Sequence, residues 1–523
     1  MELKRVLEGV PLAAPAPPDL LSADVRGLAY DSRKVSDGYL FFAFSGAKTD
    51  GAQFASSALQ KGAIAVVSDR PPFAAFGGAW LQVTHGRQAL ATAARNFFNK
   101  PDERLALTAI TGTNGKTTTT LLIDAMLSAA GKITALIGTI EYHLAGRVLP
   151  AVNTTPESLD LFRMFHELEE AGGTHATLEA SSHALDLGRI YAMKFHTAGF
   201  TNFTRDHLDY HQTMEAYFAA KQLLFKPRSG PPPRFAALNA DDDWVRRLEL
   251  SPETEVFWYG VRQEPPARPP SGAEQTWVRA EDVESSFEGL RLTVAAGPQR
   301  FRVESPLVGQ INVYNILLAC SAALTLGLDV EQIQKGLKQL QRVPGRFERV
   351  EEGQPFLVVV DYAHTDDALR NIISVARAMK PKRVITLFGC GGDRDRSKRP
   401  LMGMAAGELS DYVVLTSDNP RSEDPLTIMN DAMVGLRRFD TPHKAEPDRE
   451  RAIRLAIETA APGDIVILAG KGHETYQVLK DGPIPFDDRD VARRILRSFG
   501  YGRDSSEKAQ ASGTKNGLSS KVY

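Results

Sequence analysis

The chain has 523 residues, which is too long for one hydrophobic core and indicates about three domains. Its 43% hydrophobic and 24% charged residues are typical of globular proteins, while a net charge of −2 offers no general attraction for nucleic acid or an anionic membrane. Two cysteines cannot form a disulfide framework, and no apolar run approaches the roughly 20 residues that cross a bilayer, so we expect a cytoplasmic protein without membrane insertion.

The first hundred residues are typical of a small α/β domain. Between Val25 and Val67, short apolar runs alternate with glycine and aspartate turns. The pattern ends near Asn99-Lys100-Pro101. We therefore predict a first domain at residues 1–100.

A parallel sheet is predicted in the next segment, residues 101–343. Apolar strand candidates recur with helical patterns between them. They are Leu105–Ile110, Ala135–Ile140, His175–Glu179 and Thr197–Thr201. A more β-like stretch, Phe287–Val303, precedes an Ala/Leu-rich helix at Asn315–Leu328, and we place the boundary near Pro344-Gly345.

A glycine-rich sequence, Thr111-Gly-Thr-Asn-Gly-Lys-Thr-Thr118, follows the first of these strands and leads into an apolar-periodic helix. Glycines let backbone N–H groups turn toward phosphate oxygens, and the helix adds its positive end. Lys116 can reach the terminal phosphates, and the Thr117 hydroxyl can bind Mg²⁺. The alternative is a strand-to-helix turn that binds nothing, and the Gly-Lys-Thr sequence between strand and helix argues against it.

The last third, residues 344–501, contains four apolar runs that each end in polar or glycine residues. Carboxyl ends of parallel strands meet at one edge of a sheet, where ligands bind, so one shared crevice is predicted. The runs are Phe356–Val360, Val384–Phe388, Tyr412–Leu415 and Ile465–Leu468. Residues 502–523 are polar and aperiodic, which predicts a disordered tail.

Two further polar residues are candidate Mg²⁺ ligands. Glu179 ends an apolar strand, and His207 follows another strand in Arg205-Asp-His-Leu-Asp209. For each residue taken alone, the pattern favours an ordinary hydrogen-bonded polar group over a metal ligand. Lys221 lies in an apolar helical sequence, and its residue context alone favours a packed stem with the ammonium in water.

These motifs together resemble the Mur ligase family over almost the whole chain. The matching segments include Asp31-Ser-Arg33, Thr111–Thr118, Asn153-Thr-Thr155, Glu179-Ala-Ser-Ser-His183, Asp206-His-Leu-Asp209, Asn312-Val-Tyr-Asn315, Gly345-Arg346 and Asp361–His364. Within the family, the chain resembles the members that add the third amino acid to a UDP-linked muramoyl dipeptide in peptidoglycan synthesis. The resemblance thus implies an α/β fold of three domains: a small N-terminal α/β domain, a central P-loop ATPase domain and a C-terminal Rossmann-like domain.

The resemblance also implies roles for particular residues. Nucleotide contacts fall on Gly112, Thr113, Asn114, Gly115, Lys116, Thr117, Thr118, Asn312, Asn315 and Arg346. Contacts to UDP-N-acetylmuramoyl-L-Ala-D-Glu fall on Ser32, Asn153, Thr154, Thr155, Ser181 and Arg189, with Leu187 where some members carry glutamine. Lys221 matches a lysine that the family carries as a carbamate (N6-carboxylysine), which would join Thr117, Glu179 and His207 around Mg²⁺.

The implied reaction has two steps, for which Lys116, Glu179, His207 and Lys221 are the candidate catalytic residues. The γ-phosphate of ATP passes to the dipeptide carboxylate, and an amine then attacks the acyl phosphate. Family members with Asp418-Asn-Pro-Arg421 are associated with meso-diaminopimelate. The implied contacts are Arg394, Asp418, Asn419, Pro420, Arg421, Gly470 and Glu474. Arginine suits the second carboxylate of this amino acid, whereas the plain alternative is a loop whose arginine caps a helix.

Three rival functions stay open at this stage. A lysine-adding ligase is the nearest, and a folylpolyglutamate synthetase would share the phosphate loop but not Asp418–Arg421. A catalytically inactive nucleotide-binding regulator is the third, and the intact Lys116 and Glu179 argue against it. We also expect a monomer, and Asp366, where the family usually carries proline, predicts a looser turn.

Overall fold

The computed structural model describes residues 1–46, 49–74, 76–266, 275–286 and 288–502. These residues form two compact units. One unit comprises the described residues of Met1–Thr204 and His211–Gln341, and the other comprises Arg205–Tyr210 and the described residues from Arg342 to Gly502. The predicted tail beyond Gly502 lies outside the described residues, and the predicted domain boundaries at residues 100 and 343 stay predictions.

The first unit begins with a four-stranded parallel sheet in the order β1-β2-β3-β4. Short apolar strands and alanine-rich helices enclose its core, as the alternation of apolar runs and turns predicted. Its elements are α1 (Leu3–Val6), α2 (Pro18–Leu21), β1 (Gly27–Ala29), β2 (Tyr39–Ala43), α3 (Ala55–Gln60), β3 (Ala65–Ser68), β4 (Trp80–Gln82) and α4 (Gly86–Phe97), with 3₁₀ turns at Ser32–Lys34, Gly51–Phe54 and Pro101–Glu103.

Within the described residues, eleven strands form the large sheet of the same unit, and the predicted parallel arrangement is confirmed for its centre. The spatial order is β15-β14-β13-β12-β11-β10-β5-β9-β6-β7-β8. The strands are β5 (Ala106–Thr111), β6 (Thr134–Ile137), β7 (Glu141–Leu144), β8 (Arg147–Pro150), β9 (His175–Glu179), β10 (Thr197–Phe200), β11 (Phe235–Asn239), β12 (Glu255–Gly260), β13 (Gln275–Ser286), β14 (Gly289–Ala296) and β15 (Gln299–Ser305).

Helices cover this sheet, because strands buried on both faces need apolar partners on each side. They are α5 (Lys116–Ala129), α6 (Ser158–Glu170), α7 (Ser182–Leu187), α9 (Met214–Gln222), α10 (Gln310–Thr325) and α11 (Val330–Gln339), with a 3₁₀ turn at Val245–Arg247. The short helix α8 (Leu208–His211) lies mostly in the segment Arg205–Tyr210, which belongs to the second unit. Helix α10 begins at Gln310, earlier than predicted, so Asn312 and Asn315 both lie on its first turns. No helix among the described residues is long and apolar enough to cross a bilayer.

The second unit is built on a six-stranded sheet in the order β16-β17-β21-β18-β19-β20. All neighbours run parallel except β16 and β17. Its elements are β16 (Glu348–Val350), β17 (Leu357–Asp361), α12 (Asp366–Ala378), β18 (Val384–Cys390), α13 (Lys398–Leu409), β19 (Tyr412–Ser417), α14 (Pro425–Leu436), β20 (His443–Glu446), α15 (Arg449–Thr459), β21 (Ile465–Ala469), β22 (Tyr476–Leu479), β23 (Gly482–Pro485) and α16 (Asp488–Ser498).

The four apolar runs predicted to share a crevice are β17, β21, β18 and β19, which are consecutive neighbours in this sheet. Their valines, leucines and isoleucines are buried between helices on both faces. Because the four strands are parallel, their carboxyl ends lie at one edge. The predicted edge is therefore confirmed.

A charged cluster joins the antiparallel end of the large sheet to α5. His143 on β7 lies 2.8 Å from Glu141 Oε1 through Nε2 and 3.6 Å from Asp124 Oδ2 through Nδ1. Asp124 also accepts a hydrogen bond from Thr134 Oγ1 at 2.6 Å. Asp124, against the opposing effect of burial and with help from Glu141, raises the pKa of His143 to about 9.

The raised pKa predicts that the stability of this region depends on pH. Protonated His143 contributes stability fully below its unfolded pKa of 6.5, and the contribution is lost as pH rises through about 9. We expect the free energy of unfolding of the wild type to exceed that of a His143→Gln variant by on the order of 1–2 kcal/mol at pH 6, after allowance for solvent screening. At pH 10 the two free energies should be nearly equal. Thermal melts of both proteins across this pH range measure the difference, and parallel curves at every pH would contradict the assignment.

Candidate active site

A tight loop joins β5 to α5 at the carboxyl edge of the eleven-stranded sheet. Gly112 and Gly115 have φ angles of +133° and +89°. A Cβ on Gly112 would lie 1.8 Å from Thr201 Oγ1, and one on Gly115 would lie 2.4 Å from Asn315 Oδ1. Both positions therefore require glycine, and the backbone is free to curve around an anion, as the motif predicted.

Hydrogen bonds from the segment after β10 hold this loop in shape. Asn114 N donates to Asn202 Oδ1 at 3.0 Å, and Asn202 Nδ2 donates back to Asn114 O at 3.1 Å. Thr113 Oγ1 donates to Thr204 O at 3.0 Å and accepts from Thr204 N at 3.0 Å. The loop is thus preorganised before any ligand binds.

Lys116, Thr117 and Thr118 form the start of α5 at the end of this loop. Lys116 Nζ donates to Gly112 O at 2.9 Å and to Thr113 O at 2.8 Å. Thr117 and Thr118 are buried in the first helical turn. An ammonium and the positive end of a helix therefore lie at the same loop, which is the arrangement that binds phosphate.

The two asparagines of α10 lie beside the same loop. Asn315 Nδ2 donates to Asn312 Oδ1 at 2.9 Å, and Asn312 Nδ2 donates to Val308 O at 2.7 Å. Asn315 Oδ1 is 3.5 Å from Thr119 Oγ1 on α5. The structure brings this pair to the phosphate loop, and its contact with a nucleotide stays a prediction.

Glu179 ends β9, the strand next to β5, where it pairs in register with Ile110. Its side chain is buried, and both carboxylate oxygens accept hydrogen bonds from Thr139: Oε1 from the backbone N at 2.8 Å and Oε2 from the hydroxyl at 3.0 Å. The carboxylate is thus held at the sheet edge beside the phosphate loop. Sequence reasoning identified Glu179 but missed Thr139, which orients it.

Lys221, near the end of α9, points into the protein toward the phosphate loop. The residue is 1% exposed, and Nζ donates to Gly112 O at 2.8 Å. The ammonium also lies 4.6 Å from the centre of the Tyr217 ring. The alternative reading, in which this lysine extends its ammonium into water, is therefore wrong.

The chemistry of these side chains fits a hard cation only in part as they stand. No group of three or more His, Cys, Asp or Glu side chains that could hold a metal lies among the described residues. Mg²⁺, however, needs few protein ligands when phosphate and water oxygens complete its octahedron. Thr117, Glu179 and Lys221 fit such a site if Lys221 carries an anionic carbamate, because an ammonium cannot be a ligand.

His207 belongs to the segment Arg205–Tyr210, which packs with the second unit. Asp206 Oδ1 accepts from His207 N at 2.9 Å, and Asp206 Oδ2 lies 3.8 Å from His364 Nε2. Burial acts to raise the pKa of Asp206, but His207, His364 and Lys398 together hold it well below its usual range. The segment therefore carries an ionised, buried anchor next to the predicted metal ligand.

Arg205, at the start of the same segment, pairs with Asp366. Its Nη2 lies 3.0 Å from Asp366 Oδ1. Asp366 begins α12 after Thr365, whose hydroxyl caps the helix by accepting from Ala368 N. This ion pair and cap lie at the turn where the family usually carries proline, and the looser turn stays a prediction.

Several residues predicted to contact the UDP-linked dipeptide surround the end of β9. Thr155 Oγ1 donates to Glu179 O at 2.7 Å and lies 3.2 Å from Ser181 Oγ. Thr154 Oγ1 is 3.1 Å from Thr139 Oγ1. The hydroxyl groups of the predicted substrate region thus connect directly to the residues that orient Glu179.

Arg189 is joined to this group through a carboxylate that the sequence analysis missed. Its Nη1 donates to Thr155 O at 2.9 Å, and its Nε donates to Glu157 Oε1 at 3.1 Å. Arg87 on α4 donates to the same Glu157 oxygen at 3.3 Å. Glu157 stands two residues after the Asn-Thr-Thr motif, and that proximity is the signal that could have identified it.

Asn153 and Ser32 lie farther along the predicted substrate region. Asn153 O accepts from the Tyr142 hydroxyl at 2.5 Å. Ser32 begins the 3₁₀ turn after β1, and Tyr30, two residues earlier, donates to Asp160 Oδ2 on α6 at 2.5 Å. The hydrogen bond between Tyr30 and Asp160 therefore ties the segment that carries Ser32 to the large sheet's helices.

In the second unit, the loops after β18 and β19 interlock at the carboxyl edge. Gly392 N donates to Asn419 O at 2.9 Å, and Arg421 Nη1 donates to Gly392 O at 2.8 Å. A Cβ on Gly392 would lie 1.9 Å from Pro420 O. Arg421 itself has a φ of +53°, so its guanidinium is positioned by an unusual backbone conformation as well as by these contacts.

The loop after β21 completes this edge. Gly470 has a φ of +115°, and a Cβ there would lie 2.5 Å from Asp418 Oδ2. Glu474 Oε2 accepts from Asn419 Nδ2 at 2.9 Å and from Lys471 Nζ at 2.8 Å. The structure therefore brings Asp418, Asn419, Gly470 and Glu474 together, and adds Lys471 to them.

A buried ion pair braces the strand ends behind these loops. Arg449 and Asp488 are both fully buried, with Arg449 Nη2 2.6 Å from Asp488 Oδ2. The guanidinium also donates to Ser417 O at 3.2 Å and Ala469 O at 3.0 Å, the last residues of β19 and β21. Sequence reasoning missed this pair, because its two residues are 39 positions apart on helices without a motif.

Arg394 and Arg346 complete the predicted residues. Arg394 is exposed in the loop after β18, where its Nη1 donates to Asp393 O at 3.1 Å. The Arg346 guanidinium lies 4.7 Å from the centre of the Tyr362 ring. Both cations are thus placed at loops of the second unit, and their ligands stay predictions.

Models of three protein domains match successive parts of the chain. Residues 24–98 match the Mur ligase family catalytic domain, residues 110–323 the Mur ligase middle domain, and residues 345–472 the Mur ligase glutamate ligase domain. The matches fall in the same order along the chain as the four-stranded, eleven-stranded and six-stranded sheets described above.

Individual relatives agree with these matches. The chain is 63% identical over 501 residues to the UDP-N-acetylmuramoyl-L-alanyl-D-glutamate–2,6-diaminopimelate ligase of Solibacter usitatus, covering 96% of this chain and 99% of the relative. It is 44% identical over 478 residues to the protein of that name in Geobacillus thermodenitrificans, covering 91% and 95%.

Solved structures give the same result. A structure of a UDP-N-acetylmuramoyl-L-alanyl-D-glutamate–2,6-diaminopimelate ligase matches with a TM-score of 0.66 at 33% identity, covering 96% of this chain and 99% of that one. An ADP complex of a MurF ligase from Thermotoga maritima matches with a TM-score of 0.60 at 17% identity, covering 91% and 99%, and shows likeness of fold alone. With relatives this similar over nearly their whole length, and three domain models matched in order, the chain belongs to the Mur ligase family.

Proposed function

We propose that this enzyme is the ATP-dependent ligase that joins meso-diaminopimelate to UDP-N-acetylmuramoyl-L-Ala-D-Glu, a step of peptidoglycan synthesis. Its relatives at 63% and 44% identity carry names that state this pair of substrates. One observation of the structure carries the proposal: Asp418–Arg421 and Glu474 converge at one edge of the six-stranded sheet, where cationic and anionic groups are both held by partly buried hydrogen bonds. A diamino dicarboxylic acid needs both kinds of group.

The first step is the transfer of the γ-phosphoryl group to the free carboxylate of the dipeptide. Two anions must approach each other, so positive charge has to be available at the phosphate loop. Lys116 provides it, and the amino end of α5 and the backbone N–H groups between Gly112 and Thr118 add further donors. The product of this step is an acyl phosphate and ADP.

In the second step the amine of the incoming amino acid attacks the acyl carbon, an amide bond forms and inorganic phosphate leaves. The attacking nitrogen must lose a proton, and the amino acid must be held so that only this nitrogen reacts. Arg421 suits the distal carboxylate through its planar pair of donors, while Glu474 and Asp418 can accept from the distal ammonium. Selection of the amino acid is thus a matter of charge pattern.

We further propose that Mg²⁺ assists the first step, with Thr117, Glu179 and a carbamylated Lys221 as ligands. The cation would neutralise charge on the transferred phosphoryl group. His207 stays a predicted ligand. We also propose that the enzyme acts in the cytoplasm, where ATP is available, and that it serves cell-wall growth and division. The monomeric state stays a prediction.

A coupled assay of ADP release tests the proposed reaction. We expect the wild type to release ADP over many turnovers only when the UDP-linked dipeptide and meso-diaminopimelate are both present, because the amine must consume the acyl phosphate before the site can react again. Mass spectrometry should find the corresponding tripeptide. Lys116→Met, which removes the charge at the phosphate loop, is expected to reduce kcat by at least about a hundredfold. No ADP release under any condition would favour a catalytically inactive nucleotide-binding regulator, and ADP release that ignores both substrates would contradict the ligase reaction.

Arg421→Ala tests the basis of amino-acid selection. Loss of the guanidinium should raise KM for meso-diaminopimelate by about tenfold or more, since a charged hydrogen bond to a carboxylate is worth roughly 1.5–3 kcal/mol. The KM for ATP should stay within about twofold of the wild type. The matched control is Arg437→Ala, which removes an exposed arginine at the C-terminal end of α14 in the same unit. Unchanged kinetics with diaminopimelate, or ligation of L-lysine by the wild type at equal efficiency, would remove the selectivity argument.

Replacement of Lys221 tests the carbamate. Lys221→Ala should lose activity, and addition of a short-chain carboxylic acid should restore part of it, because an external carboxylate can occupy the space of the deleted anion. Intact-mass or ¹³C-bicarbonate NMR measurement of the wild type should also reveal the carbamate carbon. Full activity of the alanine variant without any added acid would rule out Lys221 as a ligand of Mg²⁺.

A further inference from the structure

Lys471 is the buried cation at the amino-acid edge of the second unit. The side chain of Lys471 has no exposed surface, whereas the side chain of Glu474, three residues later in the same loop, is 13% exposed. Burial of an ammonium is costly unless charged and polar partners compensate for it. The hydrogen-bond partners of Lys471 therefore indicate its role in this fold.

Two of these partners are residues assigned to the amino acid. Lys471 Nζ donates to Glu474 Oε2 at 2.8 Å and to Asn419 Oδ1 at 3.1 Å. Asn419 Nδ2 donates to the same Glu474 oxygen at 2.9 Å, which closes a triangle of hydrogen bonds. Lys471, Asn419 and Glu474 thus form one unit, which we call the lysine triangle.

The lysine triangle determines which carboxylate oxygen can serve a ligand. Glu474 Oε2 is occupied by two donors, whereas among the described residues no hydrogen bond to Oε1 is found. Asn419 is only 5% exposed, and its Oδ1 also accepts from Val478 N at 2.9 Å. Asn419 is therefore directed inward, and Glu474 Oε1 is the acceptor that the lysine triangle leaves for a ligand ammonium.

The surrounding contacts fix the lysine triangle in the fold. Lys471 follows Gly470, whose φ of +115° and close approach to Asp418 Oδ2 require glycine at that position. Gln477 Nε2 donates to Asp418 O at 2.6 Å, and Arg421 N donates to Val478 O at 3.1 Å. The loop after β19 is thus joined to β22 through both Asp418 and Arg421.

We propose that Lys471 is a positioning residue that sets amino-acid recognition by fixing Glu474 and Asn419 in one geometry, without touching the substrate itself. The proposal rests on the function proposed above, because it assigns Glu474 to the distal ammonium of a diamino acid. Without Lys471, Glu474 loses its charged partner and can rotate, and the buried Asn419 amide loses one of the two donors on its oxygen. Recognition should weaken although the chemical step is intact.

A double-mutant cycle between Lys471 and Glu474 tests this proposal. Lys471→Met is nearly isosteric and removes the charge, and we expect it to raise KM for the amino acid by about tenfold or more, with KM for ATP and for the UDP-linked dipeptide within about twofold of wild type. In a Glu474→Gln background the same change should add no more than about threefold. Lys480→Met, in an exposed turn, is the matched control.

Two further measurements keep the outcome decisive. Lys471→Gln retains a donor without the charge and should recover part of the lost recognition, and melting temperatures identify any variant that fails to fold. The cycle is run with whichever diamino acid the wild type ligates, so preference for L-lysine would overturn the proposed substrate while leaving this test valid. Independent, multiplicative effects of the two mutations, or an equal loss of kcat with every KM unchanged, would overturn the role of Lys471.

Discussion

The whole account depends on the way that parallel strands end. Neighbouring parallel strands place all their carboxyl ends at one edge, so loops that are distant in sequence become neighbours there. In the large sheet this brings the phosphate loop after β5 next to Glu179 at the end of β9. In the six-stranded sheet it brings the loops after β21, β18 and β19 together. Each edge is therefore a place where a ligand can meet several chemical groups.

Buried charges make these edges rigid enough to recognise a ligand. Arg449 and Asp488 hold the last carbonyls of β19 and β21, and Lys471 holds Asn419 and Glu474 just beyond them. Lys221 is likewise buried and donates a hydrogen bond to Gly112 O in the phosphate loop. Each of these charges would be costly to bury without its partners. These buried charges lie next to the side chains that are predicted to bind substrates, and they hold those side chains in place.

The sequence predicted the parts of this protein that depend on local patterns. The central strands, the phosphate loop and the edge formed by β17, β21, β18 and β19 followed from apolar runs and the glycine and polar residues after them. The burial of Lys221 could not be derived from its helix alone, because an apolar helical context equally suits a lysine that reaches water. Arg449 with Asp488 escaped prediction because tertiary packing pairs them and no spacing marks them. Glu157 could have been found from its place just after the Asn-Thr-Thr motif, whereas its partner Arg87 lies in a distant helix that no motif marks.

A structure of the wild-type chain with a non-hydrolysable ATP analogue, the UDP-linked dipeptide and meso-diaminopimelate tests the central claim most directly. The account predicts that the nucleotide phosphates contact the backbone between Gly112 and Thr118. It also predicts that the distal carboxylate of diaminopimelate pairs with Arg421, with its distal ammonium against Glu474. Phosphates bound away from this loop, or an amino acid held without either side chain, would contradict it.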